Sequence, residues 1–159
     1  MSDTVRVTSI EGLREFRDAM NNFVDDARNS LTAVEMENRR ITDWLNNQKF
    51  FWGNEIKRRR EKLNEIRGEL HKKKLSGAND TEAKEAVRVH TARLREAEQK
   101  FETVKKWIPQ LQHAIDEYLG QARPFGDLLT GDLEKAMGKL ERMADALEAY
   151  INVSSPSGS

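Results

Sequence analysis

Residues 81–120 read TEAKEAVRVH TARLREAEQK FETVKKWIPQ LQHAIDEYLG, and the spacing within them decides the fold. The seam positions are Ala83, Val87, His90, Leu94, Ala97, Phe101, Val104, Ile108, Leu111, Ile115 and Tyr118. The steps alternate between four and three without an error. A helix has about 3.6 residues per turn, so this spacing lays one narrow apolar stripe along it, as a coiled-coil seam requires. Pro109 lies inside the repeat, yet the phase continues beyond it, so the proline reads as a kink rather than a stop. Gly120 is expected to end the helix.

Toward the N-terminus, a second run recurs at Leu13, Phe16, Met20, Phe23, Ala27, Leu31, Val34, Ile41, Leu45, Trp52, Ile56, Leu63, Ile66 and Leu70. Asn38, Gln48 and Arg59 interrupt it; polar groups at such positions fix register at some cost in stability. Thr8 and Glu11 form a T-x-x-E capping box, which predicts a helix over about 9–75. Residues 1–8 are then a short extension, with Val5–Val7 briefly extended. A break near Gly53 is the competing reading. Ser76-Gly77-Ala78-Asn79-Asp80 supplies a C-terminal cap and the next N-cap, so the second helix covers about 80–119. Pro124 suits the first turn of a third helix over about 124–152, with its seam at Leu129, Leu133, Ala136, Leu140, Met143, Leu147 and Tyr150. Residues 154–159 form a flexible Ser-rich tail.

These lengths predict an all-α fold: a long antiparallel coiled-coil hairpin whose return arm is kinked and jointed, three helices in one elongated domain over 9–153. The first helix would span about 100 Å at roughly 1.5 Å per residue. A turn at 76–80 pairs residues whose numbers sum to about 155. That rule sets Phe51 and Trp52 beside Phe101 and Val104, brings Trp107 between Trp44 and Trp52, faces Phe16, Met20 and Phe23 with Leu140, Met137 and Leu133, and places Arg59 opposite Glu96 as an ion pair.

The composition excludes several chemistries. Among 159 residues there is no cysteine, so disulfides, thiolate metal sites and thiol nucleophiles are absent. His71, His90 and His113 are far apart, and neither H-E-x-x-H nor E-x-x-H occurs. No phosphate-binding glycine loop or nucleophile elbow is present. The chain is therefore expected to be no enzyme, to hold no cofactor or metal, and to take no small-molecule substrate. Without a signal peptide or an apolar run long enough to cross a bilayer, it is expected to be soluble and cytoplasmic, with export by a route lacking a cleaved signal peptide left open.

Two surface features remain. Trp44, Phe50, Phe51 and Trp52, joined across the hairpin by Phe101 and Trp107, make more aromatic surface than a two-stranded seam covers, which points to self-association or to docking of a helical partner. Residues 57–75 hold nine basic and three acidic side chains, a net of +6, whereas residues 110–159 carry −4 and residues 1–50 carry −2. Arg58, Arg60, Lys62, Arg67, Lys72, Lys73 and Lys74 are candidate contacts for an anion, either nucleic acid or an acidic membrane surface. No aromatic residue interleaves with these bases, so base stacking is unsupported.

The functional expectation is a self-associating helical adaptor or scaffold, a homodimer or higher. The alternatives are a helical component of a secretion or mobile-element apparatus that docks a protein through the aromatic block, and an anion-binding module using the basic tip. Trp52-Gly53-Asn54 is similar to the W-x-G turn of the small helical-hairpin substrates of type VII secretion. Here, however, Trp and Gly are adjacent and mid-helix, so membership does not follow. Spectrin-like repeats also carry helix tryptophans, but helices of about 66, 40 and 28 residues do not match them.

Overall fold

The computed structural model describes residues 2–154, and they are all-helical, with no strand among them. Helix α1 covers Ser2–Ser76, α2 covers Thr81–Thr130 and α3 covers Asp132–Ser154. No helix among the described residues is long and apolar enough to cross a membrane. The expected tail lies outside the described residues except for Ser154, which closes α3.

The N-terminal expectation needs correction: α1 starts at Ser2, and residues 5–7 are helical. Thr8 does not act as a cap. Its hydroxyl donates to the Thr4 carbonyl at 2.9 Å, and the Ser9 hydroxyl donates to the Val5 carbonyl at 2.9 Å. Both hydroxyls thus bond back one turn inside a helix that is already running. The alternative break near Gly53 is absent, since α1 is continuous there.

The turn follows the expectation. Ala78 N–H donates to Lys73 O at 3.2 Å, and Gly77 N–H donates to Lys74 O at 3.4 Å. These two bonds make a Schellman cap, which requires a left-handed residue; Gly77 supplies it at φ 69°. Asn79 Oδ1 then accepts from Thr81 N–H at 3.1 Å, and the Asp80 carbonyl accepts the first bond of α2 from Lys84 at 2.9 Å.

The second boundary is misplaced in the sequence reading. Residues 120–123 are helical, α2 runs through both Pro109 and Pro124, and the interruption falls at Gly131. Val87, Leu94, Phe101, Ile108, Ile115, Ala122, Leu129 and Ala136 lie seven apart, and all are buried or half-buried. Small Ala122 and Gly126 carry the phase past Gly120, where a search for large apolar residues loses it. Even at Gly131 the ladder holds: Gly131 N–H donates to Asp127 O at 2.9 Å, and Lys135 N–H to Gly131 O at 3.1 Å. Taken together, α2 and α3 form one helix bent by 20°.

The chain divides into two compact units. One comprises residues 37–116 and buries Leu45, Leu63, Ile66, Ala83 and Ala97. Within it, Gly53 lies against Phe101, Arg59 reaches Glu96 at 3.3 Å, and Arg60 reaches Glu98 at 3.6 Å. The other comprises residues 1–36 and 117–159 and buries Ile10, Val24, Leu129 and Ala144. Its cross-helix ion pairs include Arg14–Glu148 at 2.5 Å, Arg14–Asp145 at 3.6 Å, Arg17–Glu141 at 3.3 Å and Arg28–Glu134 at 2.5 Å.

One heptad position of α1 is buried or half-buried at every occurrence from Ile10 onward: Ile10, Arg17, Val24, Leu31, Asn38, Leu45, Trp52, Arg59, Ile66 and Lys73. The early seam is thus displaced from the expectation. Phe16 and Phe23 are 57% and 54% exposed, and Val34 is exposed as well. Arg17 occupies the half-buried position, with its guanidinium 3.3 Å from the Glu141 carboxylate; an arginine can do so because its stem is apolar and its head can stay in water.

Candidate protein-docking groove

Within the 37–116 unit, Ile41, Trp44 and Leu45 of α1 and Thr103, Val104, Trp107, Gln110, Leu111 and Ala114 of α2 line a groove of about 620 Å³. Its floor is the seam, where Leu45 is buried and Ile41, Val104 and Leu111 are half-buried. Its walls are the two indoles. Trp44 and Trp107 stand one residue before the inward positions Leu45 and Ile108, so each ring lies along the seam rather than in it. They remain 55% and 56% exposed. Thr103 turns its hydroxyl back to the Gln99 carbonyl at 2.9 Å, which leaves its methyl available to the groove.

The other expected aromatics are distributed differently. Phe50 is 73% exposed, Phe51 is half exposed, and Trp52 is half-buried on the seam. Trp52 meets the edge of Phe51 with ring centroids 5.0 Å apart, and Arg59 lies over the Trp52 ring at 5.7 Å. Phe101 packs beside Gly53, with the Lys105 ammonium 5.4 Å from its ring. Trp44 and Trp107 therefore share a groove, but Trp52 is not among its lining residues.

Arg59 is bonded to both helices of this unit. It donates to Glu55 at 2.9 Å, to the Arg93 carbonyl at 2.6 Å and to Glu96 at 3.3 Å. The expected Arg59–Glu96 pair is present. Glu55 also accepts two bonds from Arg58 at 2.9 Å. The Arg58 bonds, with the Arg59 bond adding to them, outweigh the opposing effect of burial and hold the Glu55 carboxyl well below its ordinary range, at about 2.

The basic candidates separate into two groups. Arg58, Arg60 and Lys62 pair with Glu55, Glu98 and Glu65. Arg67, Lys72 and Lys74 are exposed, and Lys73 is half-buried on the seam. Lys73 and Lys74 occupy the last turn of α1, where cations oppose the negative end of the helix dipole. Capping the helix thus accounts for two of the seven.

Sequence reasoning named Ile41, Leu45, Val104 and Leu111 only as seam residues and missed Thr103, Gln110 and Ala114 altogether. A signal was available: Ala114 follows Trp107 by seven, so a small residue succeeds a large one on one stripe and leaves room beside it. Among the described residues, no group of three or more His, Asp or Glu is placed to hold a metal ion. No protein-family model, curated protein or solved structure matches the chain.

Proposed function

We propose that this chain is a non-enzymatic helical assembly module, an antiparallel coiled-coil hairpin that self-associates through the groove between Trp44 and Trp107. The carrying observation is the exposure of two indoles around an apolar floor, in a unit where each helix has only one neighbour. Apolar surface of this kind gains about 25 cal/mol per Å² when it leaves water, and indoles dominate interface energetics. The uninterrupted heptad position from Ile10 to Lys73 supports the coiled-coil reading, because a strict seven-residue period keeps a seam facing its partner. A second pair of helices laid over the groove would make a four-helix cross-section.

Light scattering tests the proposal. The wild-type chain is expected at twice its 18.3 kDa mass or more at micromolar concentration. Trp44→Ala with Trp107→Ala should return it to a single copy with its helicity intact, because both rings are already half exposed. A wild-type mass that stays at one copy at high concentration rejects self-association. Full association of the double variant moves the interface elsewhere.

A further inference from the structure

On α1, the residues one after and two before each inward position make a single outward stripe, with steps of three and four. Toward the turn this stripe holds Lys57, Arg60, Arg67 and Lys74, with Asn64 and His71, and no acid. Glu61, Glu65 and Glu69 all lie off it. Near the N-terminus the same two heptad positions hold Glu11, Glu15, Asp18 and Asp25, with Asn22 and Asn29, and no base. All of these side chains are exposed. Between the two ends the stripe carries Met36 and Phe50, which are 66% and 73% exposed and belong to neither the seam nor the groove. Trp44 stands one residue before an inward position, on the other flank of the helix, so the stripe and the groove are separate surfaces.

We infer that this stripe docks on the same stripe of a second copy, the two α1 helices antiparallel, acidic end against basic end. The matched spacing of the two ends identifies the occupant as the chain itself. Numbers that sum to 85 set Glu11 opposite Lys74, Asp18 opposite Arg67 and Asp25 opposite Arg60, and at a sum of 86 Met36 meets Phe50. A two-fold axis near residue 43 repeats each contact, as an interface between identical patches requires. Asp43 falls at that axis, and Arg39 of the other copy stands within one turn to oppose its charge. The charges that meet are those of the stripe itself, well inside a screening length of about 8 Å at physiological salt. Glu98 and Arg17 share the charges of Arg60 and Asp18 within one chain, at 3.6 Å and 2.9 Å. Exposed ion pairs are individually weak. The inference therefore rests on the self-association proposed above: the stripe acts between copies already paired through the groove, each pair presenting two stripes, and the assembly grows beyond two copies.

Light scattering at about 0.05 M salt should give a wild-type mass above two copies, settling at two copies by about 0.5 M. Arg60→Glu with Arg67→Glu and Lys74→Glu should hold the mass at two copies even at low salt. Circular dichroism should stay unchanged, because all three side chains are exposed. Adding Glu11→Lys, Asp18→Lys and Asp25→Lys to that chain restores its net charge and exchanges the two ends, so growth should return. Two further variants of equal net charge read the orientation. Glu11→Lys with Lys74→Glu keeps the antiparallel pairs matched and should grow as wild type does. Glu11→Lys with Arg60→Glu sets like charges at both sites and should raise the concentration needed for growth about fivefold. The reverse ranking of these two overturns the antiparallel register. A wild-type mass of two copies at every salt concentration, or growth that survives the triple reversal, overturns the stripe contact and leaves the groove standing. So does a sixfold exchange that fails to restore growth. A mass of 18.3 kDa throughout overturns both.

Discussion

Arg59 occupies a position where the seam would ordinarily hold an apolar side chain. It is tolerated because its guanidinium finds Glu55, Glu96 and the Arg93 carbonyl while lying over the Trp52 ring. Burying a charge without such partners would cost several kcal/mol. The cluster leaves a pH signature through Glu55. Its carboxyl titrates at about 2 in the folded chain, against an ordinary 4.5, so the folded state binds that proton more weakly than the unfolded state does. The stability it contributes is therefore complete above about pH 4.5 and is lost as pH falls toward about 2. Glu55→Gln should be less stable than wild type at neutral pH, and the gap should close across that window. Urea midpoints measured through it check this; a gap that stays constant would show that the Glu55 charge adds nothing to folding.

At the scale of the helix, glycine has opposite consequences at two positions. Gly53 is an interior residue of α1, and a Cβ there would meet Phe101 Cε2 at 3.6 Å, an ordinary contact. Gly53→Ala should therefore stabilise the chain by about 0.5–1 kcal/mol, from lower unfolded-state entropy and a new contact. Gly77 holds φ 69°, where a Cβ crowds the following carbonyl, so Gly77→Ala should cost about 1–2 kcal/mol. Denaturant midpoints moving in opposite directions would verify both. The contrast shows which element boundaries were legible. Gly77 follows a basic last turn and precedes Asn79 and Asp80, so local chemistry marks a stop. Gly120 has no such company, and the helix runs through it on the strength of contacts that a local reading does not contain. Pro124 misled the reading in the same way: tertiary packing of the seam outweighs one missing N–H.

At the scale of the whole molecule, only nine of the described residues are buried hydrophobics: Ile10, Val24, Leu45, Leu63, Ile66, Ala83, Ala97, Leu129 and Ala144. Three are alanines. So little interior gives a single copy modest stability, and any second copy that covers the aromatic groove adds to it by mass action. The thermal midpoint should rise with each increase in protein concentration. A midpoint independent of concentration would mean that one copy holds itself together and that its exposed indoles serve another purpose.

The sequence by itself determined the helical state, the turn at Gly77, the Arg59–Glu96 pair and the aromatic residues from which the groove is drawn. Each follows from a local rule: heptad spacing, a left-handed glycine followed by an N-cap, and pair numbers counted back from the turn. What the tertiary structure decided was which of two adjacent stripes faces inward. Phe16 and Phe23 form as regular a heptad as Arg17 and Val24, and hydrophobicity alone prefers the phenylalanines. In the folded chain Arg17 lies 3.3 Å from the cross-helix carboxylate of Glu141, and the same phase buries Val24. Tertiary structure likewise separated Trp52, packed against Phe51 and Arg59, from Trp44 and Trp107, which wall the groove. Helical periodicity settles which residues share a face. The side chains of the opposing helix settle which face is covered.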